Sequence, residues 1–259
     1  MPEPVRLSVR LVERVWGRTN LAPWYDEAAQ PIGEAWFTSP QQLPLLVKLI
    51  FTSERLSVQV HPDDGEDGPR GKTEMWHILE AEPGATIALG FREPISRERL
   101  RESAQTGEIE ALLNWVPVKA GETYFTPAHT VHAIGAGIVL CEIQQNSDIT
   151  YRLWDYGRPR ELHLEKAVPV CDLGVHPGAI PPDEAVRCKH FVTELVEVGA
   201  EQQLTPDAHT CQLWICIAGE ATIGSETAHA GEVWLLPDEG EQPAVRSNYG
   251  ARFLRTWVP

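Results

Sequence analysis

One short predicted strand carries three polar side chains that could act on a bound molecule. In the stretch 56–61, Leu-Ser-Val-Gln-Val-His, alternate side chains of an extended chain point to opposite faces. Ser57, Gln59 and His61 then share one face, and Leu56 and the two valines share the other. We expect the apolar face to pack between sheets and the polar face to line a cavity.

Two further groups suited to metal binding lie on other predicted strands. Glu74 begins a strand and faces away from Met75 and His77, while His132 follows a turn and enters a new strand. Two imidazoles, a carboxylate and the Gln59 carbonyl oxygen form a ligand set that suits Zn²⁺, with Mn²⁺, Fe²⁺ and Co²⁺ as competitors. Each residue alone has an ordinary interpretation, a hydrogen-bonded histidine or a solvated glutamate, so the prediction depends on their combination.

The elements that would position these residues are short strands. Twenty-one prolines and twenty glycines punctuate the chain. Many short apolar or alternating runs between turn residues are typical of a β-sandwich or β-barrel. The predicted strands are 45–51, 56–61, 75–79, 86–89, 123–125, 138–143, 212–217 and 232–236.

Helices are predicted in only two places. The stretch 96–113 begins with a capping serine, Ser96, and carries apolar residues at helical spacing. Gly107 interrupts it, so we expect two short helices, and a further helix near residues 39–42.

A short pattern occurs twice in the chain. Residues 121–127 are Gly-Glu-Thr-Tyr-Phe-Thr-Pro, and residues 231–237 are Gly-Glu-Val-Trp-Leu-Leu-Pro. Each reads as a turn, a strand and a second turn. The alternative is chance recurrence of a common turn.

The repeat and a Pro- and Gly-rich linker at 175–182 predict two β-rich units, 1–174 and 175–259. In the second unit Asp238 and Glu239 follow the repeat, and there is no histidine at the position that His132 takes in the first. We therefore expect the metal site in the N-terminal unit only.

Composition restricts the class of function. The chain has 259 residues, a 42% hydrophobic content and a net charge of −15. A strongly acidic chain without a basic face is unsuited to nucleic acid or to anionic membranes. Without an apolar run of membrane-spanning length or a signal-peptide core, we expect a cytoplasmic protein. The five cysteines form no metal-binding or disulfide pattern, and we expect free thiols.

Several motifs resemble one enzyme family. Residues 56–64 (Leu-Ser-Val-Gln-Val-His-Pro-Asp-Asp), 71–76 (Gly-Lys-Thr-Glu-Met-Trp) and 142–152, which run from Glu-Ile-Gln-Gln-Asn to Tyr-Arg, are similar to type I mannose-6-phosphate isomerases of the short prokaryotic form. Residues 121–132 resemble the second signature of cupins, where a glycine usually stands at the position of His129. The resemblance is strong over about residues 10–158. It implies a mainly β fold of two cupin-type jelly-roll barrels with a few short helices.

The resemblance also implies roles for particular residues. One zinc ion per chain would be bound by Gln59, His61, Glu74 and His132. The residues carried over as catalytic are Lys72, Glu142 and Arg152, and those carried over as binding the substrate phosphate are Ser57 and Arg158. The same side chains have structural alternatives: Arg152 could pair with Asp148 or Asp155, Lys72 could pair with Glu74, and Arg160 is close to Arg158.

The function implied by the resemblance is a zinc-dependent interconversion of mannose 6-phosphate and fructose 6-phosphate through an enediolate. The partner would be a small phosphosugar, with no nucleic acid or membrane, and the chain a monomer or homodimer. Glu142, Lys72, His61 and a zinc-bound water stay open as proton-transfer groups. Alternatives are a cupin isomerase of another sugar or sugar phosphate, or a non-catalytic metal- or sugar-binding cupin.

Overall fold

A computed structural model describes residues 3–259 and is built mainly from antiparallel strands. The mainly β class with a few short helices, predicted from the sequence, is confirmed. The elements are β1 (Val5–Arg6), β2 (Ser8–Arg18), β3 (Ile32–Thr38), β4 (Leu45–Phe51), β5 (Val58–Val60), β6 (Glu74–Ala81), β7 (Thr86–Phe91), α1 (Arg97–Thr106), α2 (Ile109–Leu112), β8 (Leu113–Pro117), β9 (Thr123–Thr126), β10 (His132–Ile134), β11 (Ile138–Gln145), β12 (Tyr151–Trp154), α3 (Leu164–Val170), β13 (Ala179–Ile180), β14 (Val186–Arg187), β15 (Val192–Val198), β16 (Gln202–Leu204), β17 (Thr210–Ile223), β18 (Glu226–His229), β19 (Val233–Leu235), β20 (Val245–Ser247) and β21 (Ala251–Val258).

The strands form three sheets. A seven-stranded sheet has the order β13-β9-β6-β11-β4-β3-β2, and a five-stranded sheet has the order β12-β5-β10-β7-β8. The third sheet follows the path β1-β19-β17-β21-β15-β14, with β16, β18 and β20 attached. The strands that present the predicted metal ligands all belong to the first two sheets.

The seven-stranded sheet is covered on both faces, which explains why every residue of β4 is buried. Val47, Leu49 and Phe51 belong to a core that also contains Leu213 and Leu254 of the third sheet. Residues of the opposite parity point the other way, into the interior enclosed with the five-stranded sheet. That parity places Lys48 on the inner side.

The two short helices predicted over residues 96–113 are confirmed. The Ser96 hydroxyl accepts a hydrogen bond from the Arg99 amide, as an N-cap does. Gly107 ends α1 in the left-handed conformation, with φ of 85°. Leu100 and Ile109 pack into a core with the buried residues of β5 and β12, so the helices cover the outer face of the strand that carries Gln59.

The prediction of a helix near residues 39–42 is wrong. The segment is a bend, in which the Ser39 hydroxyl accepts a hydrogen bond from the Gln41 amide at 3.2 Å. A side chain that bonds the backbone two residues on stabilises a turn rather than a helix. Pro44 then removes a donor that a continuing helix would need. A third helix, α3, lies where the sequence predicts none.

The repeated pattern corresponds to a repeated local structure. Gly121 and Gly231 have φ of 92° and 90°. In each copy the glutamate that follows accepts a hydrogen bond from the amide three residues before it, Lys119 in one and His229 in the other. The same carboxylate also accepts one from an aromatic side chain two residues later. The recurrence therefore reflects a shared turn-strand unit, not chance.

Two short strands pair with strands that are distant in sequence, in the opposite half of the chain. The short strand β1 pairs with β19, and β13 pairs with β9. The division into units 1–174 and 175–259 stays a prediction.

All five cysteines are free thiols, as expected. None of the helices in residues 3–259 combines the length and apolar character needed to cross a membrane.

Candidate metal centre and its cavity

His61, Glu74 and His132 come together inside the chain, each almost completely buried. Glu74 Oε2 lies 3.6 Å from His61 Nε2, and Glu74 Oε1 lies 3.5 Å from His132 Nε2. Ligands at about 2.1 Å from a zinc ion in a tetrahedron lie about 3.4 Å apart. The spacing of these three side chains therefore fits a single small divalent ion.

The hydrogen bonds of the two histidines prepare them for metal binding. His61 Nδ1 donates to the Ile149 carbonyl oxygen at 2.9 Å, and His132 Nδ1 donates to the Thr130 carbonyl oxygen at 2.8 Å. Each bond fixes the tautomer and leaves a lone pair on Nε2, the atom directed at Glu74. Burial, before other causes, lowers the pKa of His132 to about 4, so its ring is neutral at neutral pH.

Gln59 is the fourth predicted ligand and lies beside His132. Its Nε2 donates to His132 Nε2 at 3.2 Å, and its Oε1 accepts from the Ser57 hydroxyl at 3.3 Å. Rotating the amide by 180° exchanges its nitrogen and oxygen without changing its shape. The oxygen would then face the same point as Nε2 of His132.

The carboxylate of Glu74 lacks the partners that a buried charge needs. Neither oxygen accepts a well-formed hydrogen bond within residues 3–259, and the side chain is fully buried. Burial raises the pKa of Glu74 to about 8, and the neighbouring Glu142 adds to the effect. A bound cation would reverse that shift. Two neutral imidazoles, an amide oxygen and an under-partnered carboxylate are thus a donor set that fits zinc.

Lys72 lies against the ligand cluster. Its Nζ is 3.1 Å from Glu74 Oε2 and donates to His61 Nε2 at 3.0 Å. Burial opposes its charge, but the carboxylates of Glu74 and Glu142 outweigh burial and raise the pKa of Lys72. The Lys72–Glu74 pair, which is the structural alternative for Lys72, is therefore present, and Lys72 also lines the cavity.

Glu142 stands on β11 between two partners. Its Oε1 accepts from Lys48 Nζ at 2.9 Å, and its Oε2 accepts from the Trp76 indole at 3.2 Å. The pairing of β11 with β4 and β6 places Lys48 and Trp76 directly opposite Glu142. Burial opposes ionisation, but Lys48 and Lys72 outweigh it and lower the pKa of Glu142 to about 2. The side chain is therefore a carboxylate at neutral pH.

A polar cavity of about 390 Å³ opens beside this cluster. Ser57, Gln59, Lys72, Glu142 and Arg152 all line it. Cationic side chains outnumber acidic ones along the cavity, although the whole chain carries a charge of −15. The cationic lining is Arg14, Lys48, Lys72, Arg152 and Arg160, and the acidic lining is Glu34, Glu142 and Asp148.

The three arginines after β11 have different surroundings. Arg152 does not pair with Asp148 or Asp155, and its Nη1 donates to the Glu161 carbonyl oxygen at 2.8 Å. Arg158 does not line the cavity, because its Nη2 binds Asp155 at 3.0 Å and the Arg55 carbonyl oxygen at 2.6 Å. Arg160 lines the cavity in its place.

His129 has a left-handed backbone, at the position where the cupin signature usually has a glycine. Its φ is 75°, in a region where glycine is favoured. Its Nε2 lies 2.8 Å from Glu66 Oε2, outside the ligand cluster.

Sequence patterns indicate no role for Lys48, Trp76, Arg14, Glu34 or Arg160. Lys48 is the clearest omission, because it is 3% exposed and holds Glu142. A signal was present: a lysine within the apolar run of β4 needs a buried partner. That partner becomes visible only when strand pairing is known.

Comparison with models of protein families gives no match. Comparison with curated proteins gives clear matches. A mannose-6-phosphate isomerase of Streptococcus mutans is 34% identical, with 70% of this chain and 72% of the relative covered. A second relative, from Bacillus subtilis, is 36% identical, with 66% of this chain and 69% of the relative covered.

The chain belongs to the mannose-6-phosphate isomerase family. Its fold is that of the family as well. The crystal structure of mannose 6-phosphate isomerase from Bacillus subtilis superposes with a TM-score of 0.81 at 24% identity, and 99% of this chain and 100% of that chain are covered. A zinc-bound mannose 6-phosphate isomerase superposes with a TM-score of 0.75 at 18% identity, covering 99% of this chain and 100% of its own.

Proposed function

We propose that this member of the mannose-6-phosphate isomerase family interconverts mannose 6-phosphate and fructose 6-phosphate, with one zinc ion per chain and an enediolate intermediate. One observation carries the proposal: the His61, Glu74 and His132 cluster lies beside a cavity lined by Lys72, Glu142 and Arg152, and Lys72 contacts Glu74. The names of the two relatives support the choice of substrate.

The reaction sets clear chemical demands. The sugar ring opens, a proton moves between C2 and C1, and the carbonyl moves in the opposite direction. Removing a proton beside a carbonyl requires a base and a group that stabilises the negative oxygen. The cavity has carboxylate and cationic groups for both tasks.

The ligand set defines where a metal would act. Gln59, His61, Glu74 and His132 would hold the ion, and zinc would supply Lewis-acid polarisation of the substrate carbonyl. Gln59 would need the amide orientation opposite to the one in the structure. The hydrogen bonds of His61 and His132 to backbone carbonyls keep both rings directed at that point.

Lys72 and Arg152 would stabilise negative charge on the substrate oxygens. Lys72 is held as a cation by two carboxylates. Arg152 lines the cavity with a buried Nε that has no hydrogen-bond partner within residues 3–259. In a site with little water, such donors stabilise a developing oxyanion more strongly than water does.

Glu142 would handle the proton as a carboxylate. Lys48 and Trp76 hold its two oxygens at 2.9 and 3.2 Å and keep it ionised. Strand pairing fixes its place opposite Lys48 and Trp76, so the group enters the reaction already oriented. Ser57, beside Gln59, would bind the substrate.

The remaining predictions belong to the same proposal. The metal site would lie in a jelly-roll barrel within residues 1–174, and residues 175–259 would form a second barrel without metal. The partner would be the phosphosugar alone, and the protein would work in the cytoplasm as a monomer or homodimer.

The test is a coupled assay that follows fructose 6-phosphate formation from mannose 6-phosphate. We expect turnover by the purified chain, its loss after complete removal of metal by a chelator, and its recovery with Zn²⁺. Free mannose serves as the matched substrate control. Full activity after verified metal removal would contradict the zinc dependence, and turnover of a different phosphosugar alone would contradict the substrate.

A further inference from the structure

We infer that Arg160, on the same cavity wall as Arg152, binds the phosphate group of the substrate, and that Arg158 is a structural arginine. The inference rests on the proposed function for its substrate. It differs from the sequence-based expectation, which gave the phosphate to Arg158.

Arg160 is held rigidly at the cavity wall. Its Nε donates to Asp155 Oδ2 at 2.5 Å, and its Nη2 donates to Asp155 Oδ1 at 2.8 Å. The Asp155 side chain is only 1% exposed, whereas that of Arg160 is 31% exposed. This two-point attachment uses one edge of the planar guanidinium. The opposite edge carries Nη1, which has no hydrogen-bond partner among residues 3–259. The Arg160 side chain lines the cavity.

Arg158 has two of its three guanidinium nitrogens committed to other partners, and the third, Nη1, is buried. Its Nη2 binds both Asp155 and the Arg55 carbonyl oxygen, and its Nε donates to the Asp155 carbonyl oxygen at 3.3 Å. The guanidinium also lies over the Tyr156 ring, 5.4 Å from its centre. It joins two loops and does not line the cavity. Turning it toward a substrate would break these bonds.

Arg152 and Arg160 are neighbouring cations that line the same cavity. Burial lowers the pKa of Arg152, and the guanidinium of Arg160 is the strongest charge effect in the same direction. Asp155 is already shared by Arg158 and Arg160. Two half-buried guanidiniums on one cavity wall fit a bound anion, and the planar fork suits a phosphate.

The position of this pair also suits a sugar phosphate. Arg152 lies directly opposite Gln59 in the β12–β5 pairing, so it stands beside the ligand cluster. Arg160 follows eight residues later and returns to the same cavity. The phosphate would therefore bind at the Arg160 end while the sugar reaches past Arg152 toward the metal ligands.

The test compares Arg160→Gln with Arg158→Gln, and uses Arg187→Gln, at an exposed position of β14, as a control for loss of charge. Losing a charge-assisted hydrogen bond weakens binding about 10- to 100-fold. We expect Arg160→Gln to raise KM for mannose 6-phosphate by that factor with kcat changed less than about threefold. Arg158→Gln should move KM less than about threefold and lower the melting temperature.

Two readouts separate this inference from the proposed function. Inorganic phosphate should raise the melting temperature of the unmodified protein and not that of Arg160→Gln, whether or not the protein is an isomerase. If the unmodified protein turns over mannose 6-phosphate but Arg160→Gln keeps its KM and its response to phosphate, the inference is wrong and the function stands. If there is no turnover but the phosphate response depends on Arg160, the function is wrong and the anion site stands.

Folding is controlled independently. Zinc content and circular dichroism of each variant should match those of the unmodified protein. If Arg160→Gln does not fold, Arg160→Lys replaces it, because lysine keeps the charge but loses the two-point attachment to Asp155. An unchanged KM in that folded variant, together with a raised KM in Arg158→Gln, would overturn the assignment.

Discussion

Arg152 lies directly opposite Gln59 in the antiparallel pairing of β12 with β5. On its other side Gln59 lies opposite His132 of β10. Side chains opposite one another in paired strands project from the same face of a sheet. One row across three strands therefore joins a guanidinium to two predicted metal ligands, and the backbone itself sets their spacing.

Replacing Arg152 with alanine should lower turnover at least about 100-fold while zinc content stays unchanged. Arg152 lines the cavity beside the ligand cluster but contributes no atom to it, so the variant loses oxyanion stabilisation and keeps the metal. The measurement is the initial rate with mannose 6-phosphate together with zinc per chain by atomic emission. Arg187→Ala, at an exposed position of β14, is the matched control. Equal turnover in the two variants would remove Arg152 from the mechanism.

His132→Leu should abolish stoichiometric zinc binding, and His129→Asn should leave it intact. His132 Nε2 faces Glu74 within the cluster, whereas His129 Nε2 lies against Glu66 near the surface. Asparagine tolerates the left-handed backbone at position 129, so this control does not strain the turn. Titration with a colorimetric zinc chelator measures the bound metal. Zinc retained at one per chain in His132→Leu would show that the ion binds elsewhere.

Stability should fall as the pH is lowered from 6.5 toward 4, partly because of His77. Burial first, and the charge of Arg252 second, lower the pKa of His77 from its ordinary value of 6.5 to about 4. The unfolded chain takes up this proton near the ordinary pKa, so the folded state loses stability between the two values and is unaffected above the higher one. The contribution is about 2–3 kcal/mol at pH 4.5.

The measurement is urea unfolding at pH 7.5 and pH 4.5 for the unmodified protein and for His77→Gln, in which the Thr123 hydroxyl keeps a polar neighbour. The other titrating groups are common to both proteins and cancel in the comparison. The variant should lose less stability than the unmodified protein. Parallel losses would mean that His77 is already protonated in the folded state at pH 4.5.

The grouping of the predicted ligands could be inferred from the sequence, because strand alternation and turn residues are local properties. Parity alone places Ser57, Gln59 and His61 on one face, and the observed cavity wall has Ser57 and Gln59 on it. The left-handed backbone of His129 likewise agrees with the resemblance to the cupin signature, in which a glycine usually stands at that position. Their assignment as ligands stays a prediction, which the zinc measurements test.

The direction of the arginine side chains could not be inferred in this way. Arg158 and Arg160 have the same parity and similar neighbours in sequence. Tertiary contacts distinguish them: Arg158 donates to the Arg55 carbonyl oxygen, and the buried Asp155 orients Arg160. The role of Lys48 depends in the same way on the register between β4 and β11, which no local pattern states.

The helix α3 could not be predicted for a different reason. Pro169 lies inside it, and an internal proline in a sequence argues against a helix. The helix is only seven residues long, and its buried side, Ala167 and Val168, packs onto the core beneath β5 and β12. Tertiary packing outweighs the unfavourable local preference.

The pairing of β1 with β19 has a consequence for how the protein is made. Val5 and Arg6 leave the ribosome long before their partners, Leu235 and Trp234, which lie more than 220 residues further along the chain. At a synthesis rate of about 5–20 residues per second, β1 has no partner strand for roughly ten seconds or more. Closing the third sheet is therefore a late event in folding, and an early nascent chain must keep this segment from pairing with other strand edges.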